Sequence, residues 1–111
     1  MRLAIVGCRN FADYDVFVAE VNAYDFSEIV SGGCHGTDKL AERYAREEGI
    51  PIAIFYPDWD RYGLAAGPIR NRQIVEYADA VLAFWDGRSR GTKSSIELAR
   101  KTGVPVEIID I

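Results

Sequence analysis

The sequence predicts one α/β domain: a single Rossmann-like unit spanning residues 1–111, with a five-stranded, mainly parallel sheet of order 3-2-1-4-5 and helices on both faces. Two observations carry this. Short branched apolar runs alternate with segments of helical spacing along the whole chain, and glycine-rich turns stand where the runs give way to helices. Such alternation makes right-handed crossovers and a sheet covered on both sides. In this strand order the topological switch point falls between strands one and four, where ligands bind at the carboxyl edge.

Arg2 to Gly7 reads as a buried strand, followed by a helix that Asp13 caps and whose inward face carries Phe17, Val21 and Tyr24. Residues 28 to 33 form strand two. Leu40, Ala41, Tyr44 and Ala45 recur at helical spacing in a second helix, Thr37 to Glu48, which Gly49-Ile50-Pro51 terminates. Pro51 opens strand three, Ile52 to Tyr56. An irregular aromatic loop, Pro57 to Ala66, leads into the third helix, with Pro68 at its first position and its end near Ala78. Asp79 to Phe84 is strand four, Trp85 to Gly91 a polar loop, Thr92 to Thr102 the fourth helix, and Val104 to Ile109 a closing strand. That last edge strand is the one whose direction could reverse without disturbing a site.

Hydrophobic residues make up 49% of the chain and charged residues 27%, the composition of an ordinary globular domain, with no repeat or low-complexity tract. The run Leu3-Ala4-Ile5-Val6 is soon broken by Arg9, Asp13 and Asp15, too short for a signal peptide or a membrane span, so a cytoplasmic protein without a membrane partner is expected. Cys8 and Cys34 lack CxxC spacing and the chain holds a single histidine, which predicts free thiols and no metal site. A net charge of −4 and a pI near 4.9 oppose nucleic acid, so an anionic ligand has to be held locally.

Four loops converge on the carboxyl edge. The first brings Gly7, Arg9 and Asn10 to the switch point. The second, Ser31 to Asp38, is a phosphate cradle or a tightly packed βα turn: Gly32, Gly33 and Gly36 let the backbone approach a ligand, and the new helix offers unpaired N–H groups and the positive end of its dipole. Thr37 or Asp38 caps that helix, and His35 is a candidate general base without an assigned partner. In the third loop Asp58 and Trp59 suit ribose and base contacts, although Trp59 and Tyr62 equally suit a lid or a subunit contact. Beyond it, Arg70 and Arg72 flank the apolar stripe of the third helix, with Asn71 at its start bonding loop backbone. Two cations at a helix N-terminus oppose its dipole, which favours ligand contact for one of them, and Arg70 stands closest to the mouth. The fourth loop repeats the pattern with Gly87, Arg90, Gly91 and Thr92, the last as helix cap. Glu97 sits between Lys93 and Lys101 in an exposed ion-pair row.

Taken together, Ser31 to Asp38, Pro57 to Gly63, Gly67 to Arg72, and Ala83 to Gly87 with Arg90-Gly91-Thr92 resemble the SLOG superfamily, most closely its YspA-like, cpYpsA-related branch. The resemblance implies a Rossmann-like fold, a nucleotide or nucleotide-derived ligand at this edge, and a homodimer. Two more distant relatives imply sharper activities. The SGGxxGxD and RNR elements look like those of the DNA-processing protein A family, which engages single-stranded DNA, whereas the low pI here argues against nucleic acid as a partner. The LOG phosphoribohydrolases carry PGGxGTxxE where this chain has Ser94 and Ser95 in the acidic positions. N-glycosidic cleavage needs a carboxylate by the anomeric carbon, which leaves Glu97, Asp86, Asp58 and His35 as weak catalytic candidates and favours a binding module. No cofactor is required beyond the nucleotide-type ligand itself.

Overall fold

The computed structural model describes residues 1–111 and contains β1 (Arg2–Gly7), α1 (Tyr14–Val21), β2 (Glu28–Ser31), α2 (Thr37–Glu48), β3 (Ile52–Ile54), α3 (Trp59–Tyr62), a 3₁₀ turn (Gly63–Ala65), α4 (Ala66–Tyr77), β4 (Ala80–Trp85), α5 (Arg90–Thr102) and β5 (Val106–Asp110). The five strands form one sheet in the order β3-β2-β1-β4-β5, every neighbouring pair parallel, the closing strand included. β1 is central and pairs with β4 from Leu3↔Ala80 to Gly7↔Phe84.

The alternation of side chains along β1 and β4 builds two cores. Leu3, Ile5, Leu82 and Phe84 face α1 and α2 and meet Phe17, Val21 and Tyr44. Ala4, Val6, Val81 and Ala83 face the other way and meet Ile74 and Val75 of α4 and Ile96 and Ala99 of α5. Because helices cover both faces, the central strands are apolar on both sides. No helix is long and apolar enough to cross a membrane.

Several boundaries differ from those the sequence predicts. Tyr24 lies beyond the end of α1, which stops at Val21, and packs on the first core from the following turn. β2 ends at Ser31 because Gly33 has φ +71, outside the extended region, and β3 then ends at Ile54, the residue paired with Ser31, since its one neighbour is gone. The aromatic loop is ordered as α3, which Asp58 caps by accepting the Arg61 N–H at 3.1 Å, and as the 3₁₀ turn. α4 starts at Ala66, so Pro68 is its third residue, where the missing N–H has no acceptor within the helix in any case. α5 starts at Arg90 and is capped by Ser89, not Thr92.

Candidate functional site

The chain turns early into α5 because the Asp86 carboxylate accepts the N–H groups of both Arg88 and Ser89, each at 2.8 Å. Those two donors hold the Asp86 carboxyl below the usual carboxylate range. The Ser89 hydroxyl then takes the Thr92 N–H at 3.4 Å, leaving the N–H groups of Arg90 and Gly91 without an acceptor inside the helix. Next to this open helix start, at the carboxyl end of β1 and between the loops that follow β2 and β4, lies a cleft of about 460 Å³. It sits at the switch point of the sheet.

Of the residues the sequence singles out, the structure brings Gly7, Arg9, Gly32, Arg70, Asn71, Arg90, Gly91 and Thr92 onto the wall of this cleft. Three arginines thus surround one space, and the only carboxylate on its wall is Asp38. Cys34, Asp38, Ser89 and Ser95 also line it and were not among the expected ligand contacts. For Ser95 a signal existed, because it lies three and four residues after Thr92 and Gly91 and so shares their helix face. For Cys34 none did.

The loop between β2 and α2 is occupied by the protein's own groups. Arg70 Nη1 donates to the Gly32 carbonyl at 2.6 Å, and its Nε to the Asn71 side-chain oxygen at 2.9 Å, so Asn71 bonds the neighbouring arginine and not loop backbone. The Asp38 carboxylate accepts the Cys34 N–H at 3.0 Å, and α2 has no side-chain cap, because Gly36 occupies the cap position. Burial pushes the Asp38 carboxyl up; the Cys34 N–H and the Arg70 charge pull it back only in part. Ser31 Oγ is buried and closes no hydrogen bond of its own. A Cβ at Gly32 would lie 2.6 Å from Arg70 Nη1, so a larger residue there would displace the end of the arginine.

Gly33, Gly36 and Thr37 are off the cleft wall. Gly33 backs onto the ring of Tyr56, Gly36 packs against the carbonyls of Cys8 and Arg9, and the buried Thr37 hydroxyl donates to the Cys8 carbonyl at 3.0 Å. These three hold loops together. Gly87 belongs to the exposed turn that Asp86 organises. The candidate acids and bases also fall elsewhere. Asp86 is engaged by backbone, His35 is exposed outside the cleft, and Glu97 stands on the outer face of α5, 3.9 Å from Lys93. Trp59 is half exposed against Gly67, and Asp58 caps α3. The Cys8 thiol, pushed up by burial, accepts the Asp86 N–H at 3.3 Å and is a structural group.

Residues 1–62 match the model of the YspA, cpYpsA-related SLOG family. The chain is 35% identical to the Gene 61 protein of Mycobacterium phage D29, with 95% of this chain and 93% of that one covered. Among solved structures it is similar to DNA processing protein A from Helicobacter pylori, reported for its single-stranded DNA binding mode, with a TM-score of 0.75 and 22% identity. That likeness covers 97% of this chain and 64% of the other. For DNA processing protein A from Streptococcus pneumoniae the TM-score is 0.77 at 22% identity, with coverages of 99% and 50%. The chain therefore spans half to two thirds of the length of these structures, and what they share with it is the fold.

Proposed function

The chain belongs to the YspA, cpYpsA-related SLOG family, and from that premise we propose that it is a binding module for a phosphorylated nucleoside or a nucleotide-derived small molecule. The observation that carries this is the gathering of Arg9, Arg70 and Arg90 around the open N-terminus of α5 in a chain whose net charge is −4. Cations in an otherwise acidic protein, placed beside unpaired N–H groups and the positive end of a helix dipole, suit a phosphate. The phosphate goes to the α5 side of the cleft, between Arg90 and Arg70, because Asp38 and Arg70 already fill the turn after β2.

A binding role suits this wall better than cleavage. Asp38 is the one carboxylate available and is tied to the Cys34 N–H, and His35, Asp86 and Glu97 lie off the wall. A small ligand also suits a cleft of about 460 Å³ better than a strand of nucleic acid, which wants a long basic groove. The same reading includes a homodimer, supported by the edge strands β3 and β5 and by the side chain of Leu64, 97% exposed. Sedimentation at roughly tens of micromolar tests that part.

Calorimetry against inorganic pyrophosphate, nucleoside mono- and diphosphates, ADP-ribose, NAD and a short oligothymidylate tests the rest. Binding of phosphorylated small molecules, weakened by Arg90→Ala, is expected. Binding of the oligonucleotide alone would move the reading to single-stranded DNA, and release of free base on prolonged incubation would move it to a hydrolase.

A further inference from the structure

Arg70 lines two spaces: the arginine cleft and a neighbouring recess of about 230 Å³ walled by Tyr56 and Tyr62. The turn after β2 joins them. Gly32 and Cys34 face the cleft, while Gly33 between them supports the ring of Tyr56 so closely that a Cβ on Gly33 would lie 2.5 Å from Tyr56 Cε1. Gly33 has φ +71, and its bare backbone is what allows the ring to lie there. With one side of Tyr56 resting on the turn, 63% of the residue stays exposed. A ring braced along one edge and open to solvent elsewhere offers a surface for stacking.

The recess is smaller than the roughly 300–1,000 Å³ of a complete ligand pocket, so on its own it has room for only part of a ligand. Its polar groups have spare capacity. Gln73 presents a carboxamide, both donor and acceptor, and makes no side-chain hydrogen bond in the structure. Asp58 uses Oδ1 for the Arg61 N–H, leaving its other oxygen unengaged. Trp59 is not on this wall.

We infer that the recess is the base subsite of the ligand proposed above, an inference that rests on the phosphate reading of the cleft. The nucleobase stacks on Tyr56, its hydrogen-bonding edge meets Gln73, and Asp58 accepts from a ribose hydroxyl or an exocyclic amine. Arg70 stands between base and phosphate. Stacking of a base on an aromatic side chain is sequence-tolerant, so Tyr56 supplies affinity for any base and Gln73 supplies the choice among them.

The test is calorimetric titration of the whole chain with pyrophosphate, which has no base, and with ADP, GDP, CDP and UDP. Wild type, Tyr56→Ala and Gln73→Ala are compared; both substituted residues are at the surface, and circular dichroism confirms that each variant is folded. At least one nucleoside diphosphate is expected to bind about tenfold or more tightly than pyrophosphate. Tyr56→Ala brings the nucleoside diphosphates down to the pyrophosphate level, and Gln73→Ala narrows the spread among the four bases. Pyrophosphate binding as tightly as every nucleoside diphosphate, or a base advantage that survives Tyr56→Ala, overturns the base subsite while leaving the cleft reading in place. Failure of every probe to bind overturns both.

Discussion

The Thr37 hydroxyl donates to the Cys8 carbonyl at 3.0 Å, and the same oxygen receives the Thr37 N–H at 3.2 Å. One carbonyl thereby ties the start of α2 to the loop after β1, and Gly36 lies so close that a Cβ would collide with it. Thr37→Val keeps the shape and removes the donor, so a loss of about 1–2 kcal/mol in urea unfolding is expected. Gly36→Ala costs more, because φ is +70 and the obstacle is backbone, which yields less readily than a side chain. A smaller loss for Gly36→Ala than for Thr37→Val would contradict this account.

Arg70 and Arg90 are expected to separate affinity from stability. Either change to alanine lowers pyrophosphate affinity about tenfold or more, since each removes a charge-assisted donor to the anion. Only Arg70→Ala also destabilises the fold, by about 1 kcal/mol, because the Gly32 carbonyl loses its 2.6 Å donor. Arg70→Lys does not restore both bonds, as a single ammonium lacks the fork that reaches Gly32 and Asn71 together. Equal melting behaviour of the two alanine variants would be the contrary result.

Asp38 gives stability a pH dependence of definite sign. Its carboxyl is raised in the folded state, chiefly by burial, so the native protein holds the proton that the unfolded chain has already released. The associated stability is fully present below the unfolded carboxylate pKa of about 3.9 and is lost as pH rises through the folded value. Asp38→Asn cannot titrate. Its stability relative to wild type should therefore rise as pH climbs above about 4 and level off once pH passes the folded value. Urea midpoints at a series of pH values check this, and a flat or falling difference would refute it.

Gly33 and Tyr56 should be coupled. Gly33→Ala suffers both from its positive φ and from the collision with the Tyr56 ring. In the Tyr56→Ala background the ring is absent and only the backbone strain remains. A double-mutant cycle should give a coupling energy of about 0.5 kcal/mol or more, with the double variant less unstable than the sum of the singles. Additive effects would mean that the ring moves aside freely.

Glu97→Gln is expected to leave ligand affinity within about twofold and stability within about 0.5 kcal/mol, because the 3.9 Å pair with Lys93 is on the surface. Loss of a base-releasing activity in this variant would show that α5 presents the other face to the ligand.

Crossover handedness and the switch-point rule turn the order of strands and helices into a sheet and a ligand edge, and that order follows from periodicity, because branched runs such as Leu3 to Val6 and helical stripes such as Ile74 to Ala78 are local signals. Register of the helix starts did not. Whether Ser89 or Thr92 caps α5 depends on Asp86 gripping two N–H groups at once, a geometry that composition does not reveal. Likewise both glycine-rich turns look like anion cradles in sequence. That one of them is filled from within depends on Arg70 reaching Gly32 across 38 positions. The sequence reads Pro57 to Ala66 as an aromatic site loop and Tyr56 as the end of strand three; that the Tyr56 ring rests on Gly33 beside a recess depends on the turn after β2, which no local pattern reveals.

The pairing of β1 with β4 at the centre of the sheet has a consequence for how the molecule could be taken apart. Gly7, Gly32 and Asp38 stand on one side of the exposed Leu64 in sequence, Arg70 and Arg90 on the other, and they meet across that pairing and through the Arg70 bond to the Gly32 carbonyl. Two fragments divided at Leu64 would each hold one wall and no cleft. Ligand capture on mixing them would then report their reunion, making the domain a natural candidate for a split sensor.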